Sequence, residues 1–277
     1  MKIINKKILA KNQTTKIVQF KVGSEAIAKK AKAGQFVVVM ATEKSERIPL
    51  TLVDNNPQEG TITLIVQEAG FSTKQLATLK EGDSLYSVTG PLGHPTEIKN
   101  YGKIILVGGG VGIAEIYPVA KTLKKVGNDI TTIIGAKTKD LLILEPELKQ
   151  ISNLFYISTD DGTAGKKGFV TDLLEEVISE NSYDLVYTVG PLLMMREVAK
   201  KTKEKKVKTL VSLAVLMVDA TGMCGCCRVS VGSETKFACV DGPEFDAHSI
   251  DWKEVLRRNS MYTKKEKHIC RLSNHEK

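Results

Sequence analysis

The 277-residue sequence is 42% hydrophobic and 26% charged, enough apolar material to bury cores in about two domains and too much for a disordered chain. Its 22 Gly and 8 Pro exclude collagen-like and low-complexity readings. The net charge of +8 comes from lysines scattered along the chain, and with 5% aromatic residues no stacking platform for nucleic acid is expected; a solvated lysine surface is, with an acidic protein partner as the alternative. The longest uncharged apolar run, Leu210 to Val218, is far short of the ~20 residues that cross a membrane, and MKIINKKILAKNQ has no apolar stretch of signal-peptide length. A cytoplasmic protein with neither nucleic acid nor membrane as partner is expected.

The first hundred residues read as β-rich. Val18, Phe20 and Val22 share one face of residues 17–22, and Ile62, Leu64 and Val66 one face of residues 61–67. Phe36 to Met40 reads as a buried strand. Turn signals at Asn55-Asn56-Pro57 and Glu81-Gly82-Asp83 separate these runs, which predicts a small antiparallel barrel or sandwich. Arg47-Ile48-Pro49-Leu50-Thr51 follows the buried strand. Gly70-Phe71-Ser72-Thr73 opens a short helix with Ser72 as the expected N-cap. A helix start of this kind suits an anion, and an arginine within reach would complete a pyrophosphate clamp; a surface arginine and a plain cap are the alternative. Thr89-Gly90-Pro91-Leu92-Gly93 is a turn-rich loop, and His94 beside it reads as a turn residue.

At about Tyr101 the pattern changes. Residues 103–107 form an apolar strand, followed by Gly108-Gly109-Gly110-Val111-Gly112 and a helix with Ile116, Ala120 and Leu123 on one face. Strand-like runs return at 130–134, 154–157, 185–189 and 209–216, with helices over 169–180 and 191–203, as in a parallel sheet covered by helices. The glycine turn lets backbone N–H groups approach a phosphate, although a purely structural turn fits too. It departs from G-x-G-x-x-G, and no acidic residue stands at Gly135-Ala136-Lys137 to meet a ribose, which weakens a two-half dehydrogenase reading. Gly190-Pro191 ends a later strand in the same way. Asp160-Asp161-Gly162 offers carboxylates for ribose hydroxyls, or an ordinary Asx turn.

Four of the five cysteines fall between Cys224 and Cys239, a cluster that points to metal and not to a disulfide framework. The order Asp219-x4-Cys224-x2-Cys227-x11-Cys239 matches the plant-type [2Fe-2S] layout with a carboxylate in place of the first thiolate. Cys226 is the rival fourth ligand; in an extended segment its side chain points away from that of Cys227. A zinc knuckle and buried free cysteines remain as alternatives, though only one C-x2-C arm is present. Cys270 reads as a bystander. The last residues, 251–277, read as a charged helix followed by a tail.

R-x-P-L-T and G-F-S-T in a β-barrel, then G-G-G-V-G and G-P-L-L-M-M in a parallel domain, then DATGMCGCCR with ACVDGPEF, resemble one family over residues 1 to 250. The sequence resembles the small subunit of NADH-dependent ferredoxin:NADP oxidoreductase, a flavin-based electron-bifurcating enzyme whose relatives include the sulfide dehydrogenase β subunit. The electron-transfer subunit of dihydroorotate dehydrogenase is a more distant cousin, with Cys where Asp219 stands. The resemblance implies a ferredoxin reductase-like α/β plus β fold: an FAD-binding β-barrel over 1–99, an NAD(P)-binding parallel α/β domain over 100–217, a [2Fe-2S] segment over 218–250 and a charged tail over 251–277. Arg47, Pro49, Leu50, Thr51, Gly70, Ser72 and Thr73 would bind FAD, with Val66 in the cofactor-binding set. Gly108, Gly109, Gly110, Gly112, Asp161, Gly190, Pro191 and Met194 would line the site for NAD(H) or NADP(H). Asp219, Cys224, Cys227 and Cys239 would hold the cluster. Cys226 replaces a usual small residue, and Lys137 a usual Arg. The implied chemistry belongs to the cofactors, so no catalytic side chain is named. No C-x2-C-x2-C-x3-C run is present, so a larger flavin and [4Fe-4S] subunit is expected as the heterodimeric partner, with ferredoxin served through it.

Overall fold

The computed structural model describes residues 1–275. The first unit contains β1 (Ile3–Lys11), β2 (Lys16–Gly23), α1 (Glu25–Lys30), β3 (Phe36–Met40), β4 (Ile48–Thr51), β5 (Asp54–Asn56), β6 (Thr61–Gln67), α2 (Phe71–Thr78) and β7 (Ser87–Leu92). They form two antiparallel sheets, ordered β1-β2-β6-β5 and β4-β3-β7. Val18, Phe20 and Val22 of β2 and Ile62, Leu64 and Val66 of β6 meet Val37 and Val39 of β3 in one core. Each such side chain contributes about 1.5–3 kcal/mol on burial. The period-two faces read from the sequence are these faces. The first strand escaped that reading because register shifts between Ile3 and Asn5, and between Ile8 and Ala10, break its alternation. Pro49 sits in β4, an edge strand, where its missing N–H breaks no inner ladder.

The second unit contains β8 (Lys103–Gly109), α3 (Ile113–Lys125), β9 (Asp129–Ala136), α4 (Glu145–Ile151), β10 (Leu154–Thr159), β11 (Lys166–Lys167), α5 (Val170–Glu180), β12 (Leu185–Val189), α6 (Leu192–Glu204) and β13 (Thr209–Ser212). These strands run parallel in the order β11-β10-β9-β8-β12-β13. The chain winds outward in both directions from β8, so the turn after β8 stands at the topological switch point, where open α/β sheets bind ligands. Ile116, Ala120 and Leu123 are buried against the sheet as their spacing predicts. Ile17 and Ile65 of the first unit share a core with Ile113 and Ala114 of the second.

The last strand of this unit is shorter than the sequence suggests. The apolar run continues to Leu216, but β13 ends at Ser212, where the N–H of Leu213 turns to the carbonyl of Pro243 at 2.9 Å. The C-terminal region then adds β14 (Arg228–Val231), β15 (Glu234–Phe237), β16 (Glu244–Asp246), α7 (Trp252–Asn259) and α8 (Thr263–His275). Strand β16 pairs antiparallel with β13 and becomes the edge of the parallel sheet. The cysteine segment is thus stitched to the second unit, and Cys227 and Cys239 share a core with Phe36 and Val38 of β3 and Met195 of α6. The expected helix and tail are the two helices α7 and α8, as far as the described residues extend.

Candidate functional site

A cleft of about 930 Å³ opens between the two units, at the carboxyl ends of β8, β9, β10 and β12. Ile48 to Thr51 and Val66 form its wall on the first unit, and Gly109 to Gly112, Gly190, Pro191 and Met194 its floor on the second. The glycines there do different jobs. A Cβ on Gly112 would stand 2.7 Å from the carbonyl oxygen of Val189 and 2.8 Å from Cα of Gly190, so the turn and the end of β12 touch backbone to backbone. A Cβ on Gly109 would strike the Met194 sulfur, and one on Gly108 would meet Ile116 Cγ1 at 3.0 Å. Gly110 has φ +56° and nothing within 4 Å of its Cβ position, which leaves a backbone cradle facing open space. Such a cradle at a helix start fits a phosphate-bearing nucleotide.

The first-unit residues divide in the same way. Pro49, Leu50, Thr51, Val66 and Thr73 line the cleft, whereas Arg47 is exposed outside its lining. Ser72 is not the cap expected of it. Gly70 is the N-cap residue of α2, and Thr73 Oγ1 accepts from the N–H groups of Gly70 and Ala69, both at 2.9 Å. Ser72 is buried and donates to Glu46. The Cβ position of Gly70 meets nothing within 4 Å. On the nucleotide side, Asp161 closes an Asx turn, accepting from the backbone and hydroxyl of Thr163 at 3.0 and 2.7 Å; these bonds hold its carboxyl below the usual range. Asp160 and Lys137 are the charged groups from the ends of β10 and β9 that line the cleft.

The four predicted cluster ligands stand as two pairs. Cys227 and Cys239 are buried with their sulfurs 3.2 Å apart. Asp219 Oδ2 accepts from the backbone N–H of Cys224 at 2.9 Å, and its other oxygen from that of Thr221. Those N–H groups, Thr221 first, keep the Asp219 carboxyl ionised below its usual range. Burial, helped by the Cys227 thiol, pushes Cys239 up to about 12. A bound cation is what deprotonates thiols shielded in this way. Left-handed backbone at Ala220, Gly222 and Gly225 folds the loop back on itself. Among the described residues, no three His, Cys, Asp or Glu side chains converge as they would around a single ion. Two pairs of donors, a soft thiol pair and a carboxylate beside a thiol, fit a two-iron centre. Cys226 is partly exposed, and its N–H contacts the Cys224 sulfur at 3.5 Å.

A family model for the iron–sulfur cluster binding domain of dihydroorotate dehydrogenase B matches residues 215–251, and an oxidoreductase NAD-binding domain model matches residues 106–200. Across 251 residues the chain is 50% identical to a Thermotoga maritima protein described as a homolog of the dihydroorotate dehydrogenase B (NAD(+)) electron transfer subunit, covering 91% of this chain and 89% of the relative. It is 32% identical to the electron transfer subunit itself from Bacillus cereus, over 88% of this chain and 95% of the relative. The chain belongs to the family of dihydroorotate dehydrogenase B electron-transfer subunits. A solved chain reported with the NADH-dependent reduced ferredoxin-NADP oxidoreductase structure, in a study of flavin-based electron bifurcation, superposes with a TM-score of 0.92 at 46% identity, over 100% of this chain and 98% of that one. The family thus brings a ferredoxin reductase-like fold, a nicotinamide-nucleotide domain and an iron–sulfur segment, as expected from the sequence, and the zinc-knuckle alternative gives way to the iron–sulfur model over 215–251. The protein is an oxidoreductase electron-transfer subunit, with FAD fitting the family's fold.

Several residues of the site were not legible beforehand. Arg258 of α7 donates to the carbonyls of Cys226 and Gly225 at 3.2 and 3.3 Å and so clamps the cysteine loop; the density of charge after Asp251 hid it. Glu115, two residues beyond the helix start at Ile113, is buried at the cleft wall and joined to Thr51, Tyr187 and Ser212. Its signal was available: it is the lone charge in the run Ile113–Ala120.

Proposed function

We propose that the chain moves electrons between NAD(H), FAD and a [2Fe-2S] cluster as the small subunit of a flavin-based electron-bifurcating ferredoxin:NADP oxidoreductase. The observation that carries this reading is the juxtaposition of three features. The cleft joins both units, the Cys227/Cys239 pair lies in a core with Phe36 and Val38, and β3 pairs directly with β4, which carries Pro49, Leu50 and Thr51. The bound flavin and cluster would supply the redox chemistry, exchanging electrons in twos with the nicotinamide and singly with iron. The protein's part is to orient and to exclude water. Pro49 to Thr51 and Val66 would hold the flavin, Thr73 and Gly70 would shape the α2 start for its phosphates, and Gly109 to Gly112 with Gly190, Pro191 and Met194 would receive the nucleotide. Asp219, Cys224, Cys227 and Cys239 would ligate the iron, while Arg258 fixes the loop between Cys224 and Cys227.

The likeness in sequence and shape to the solved bifurcating oxidoreductase chain supports this reading over a dihydroorotate dehydrogenase role. A larger partner subunit with flavin and [4Fe-4S] centres would pass electrons on to ferredoxin, and no membrane is required: among the described residues no helix is long and apolar enough to cross one. A cytoplasmic location suits a cluster ligated by reduced cysteines. An anaerobic NADH titration followed by absorbance tests the reading. Joint bleaching of flavin and iron–sulfur bands is expected, and a chain whose bands ignore NADH would contradict it.

A further inference from the structure

One hydrogen-bonded chain of buried groups crosses the meeting point of all three regions. Tyr187 of β12 is fully buried, and its hydroxyl lies 3.2 Å from Glu115 Oε1 and 2.8 Å from Glu244 Oε1. Glu115, from α3, lines the cleft and accepts from the Thr51 hydroxyl at 3.1 Å. Glu244, from β16, accepts from Thr96 and retains some exposure to solvent. The chain thus has a cleft end, a dry middle and a solvent end.

Its proton count is constrained. A phenol has one proton to donate, so it cannot satisfy two ionised carboxylates; with one carboxyl protonated, each contact gains a donor. Burial raises both carboxyls, Glu244 to about 7, and none of the groups that shift either one is a cation. Glu115 faces Thr51 of β4, Ser212 of β13 and Tyr187 of β12, while Glu244 faces Thr96, Tyr187 and Glu115. Beyond Glu244 is Tyr101, hydrogen-bonded to Glu97, with Lys99 and Lys208 over its ring.

The proposed function, on which this inference rests, creates a need for such a chain. Oxidation of NADH yields NAD+, two electrons and one proton. An iron–sulfur centre removes electrons alone, so the proton must leave by another route. We propose that Glu115, Tyr187 and Glu244 form a proton relay between the cleft and solvent. In the outward step, protonated Glu115 gives its proton to the Tyr187 oxygen as the Tyr187 proton passes to ionised Glu244. Glu244 then releases a proton to water, the ionised Glu115 takes up the next proton from the cleft, and the Tyr187 hydroxyl rotates to reset the chain. No electrons move in this sequence, and one proton enters for each that leaves. All three are positioning residues for proton movement, and Thr51 couples the cleft end to the first unit.

The test uses the full chain with its cofactors and two readouts. Infrared spectra across the neutral pH range should show a protonated-carboxyl band that titrates, is lost in Glu244→Gln and is altered in Tyr187→Phe. Turnover from NADH should fall by about a hundredfold or more in Tyr187→Phe, within the range of about 10²–10⁴ that positioned acid–base groups contribute, with a changed pH profile and with flavin and iron content unchanged. If Tyr187→Phe folds poorly, Glu115→Gln provides the same comparison. Cofactors fully bound, with turnover and pH profile as in the native chain, would overturn the relay alone; so would a native chain without a titrating carboxyl band. A chain that binds neither flavin nor iron would overturn the proposed function, and the relay with it.

Discussion

Replacement of Glu244 by glutamine should remove a pH dependence from the stability of the protein. The Glu244 carboxyl is largely buried, and burial pushes it from the ordinary 4.5 up to about 7, with Thr96 and Tyr187 opposing by hydrogen bonding to the charged form. A carboxyl that binds its proton more tightly in the fold than in the unfolded chain favours folding at low pH. Its contribution is complete below the unfolded value of 4.5 and is lost as pH rises through about 7. A difference of roughly two and a half units corresponds to about 3.5 kcal/mol over the full range, at ~1.4 kcal/mol per unit. Glutamine copies the protonated carboxyl in shape and still accepts from Thr96 and Tyr187, so the variant should lose this slope. Urea unfolding of both proteins at about pH 5 and pH 8 measures it, because other titrating groups cancel in the comparison. The native chain should lose about 2.5 kcal/mol more than Glu244→Gln between those values, because at pH 5 part of the contribution is already gone. Equal slopes, or a native chain that gains on the variant as pH rises, would refute the reasoning.

Two glycines make opposite predictions. Gly112→Ala drives a Cβ into the backbone of Val189 and Gly190, which should cost about 1–3 kcal/mol in thermal unfolding and raise the KM for NADH. Gly70→Ala meets open space, so stability should stay within about 0.5 kcal/mol while flavin retention during dialysis falls. At the cluster, Asp219→Ala should change the visible and paramagnetic resonance spectra of the iron centre and Cys226→Ser should leave them intact; the reverse would move the fourth ligand to Cys226. Arg258→Met removes the clamp on the carbonyls of Gly225 and Cys226 and should speed loss of iron to a chelator without changing the bound spectrum.

Periodicity carried the interior of the three larger sheets because β2, β3, β6, β8 and β12 are buried strands with apolar runs or alternation. It failed where geometry interrupts the pattern: bulges in β1, a proline edge in β4, and three-residue β5 and β16. The end of β13 was illegible because the apolar run continues, while the turn toward Pro243 is a long-range contact. In the site, glycine turns and cysteine spacing are local signals and were read directly. The separation of Asp160 from Asp161, and of Thr73 from Ser72, depends on which way a side chain leaves a turn. Glu115, Tyr187 and Glu244 are 57 to 129 positions apart at the extremes, and nothing but the folded sheet brings them together.

The proposed function requires one chain to hold a flavin–nicotinamide cleft against an iron centre at Asp219, Cys224, Cys227 and Cys239. Iron, sulfide, zinc and flavin analysis of the anaerobically purified protein, beside Cys227→Ser, tests it most directly. Iron and sulfide in equal amounts with one flavin per native chain, and loss of the iron alone in the variant, are the predicted result. Zinc in place of iron, or a native chain that takes up no flavin, would contradict the account.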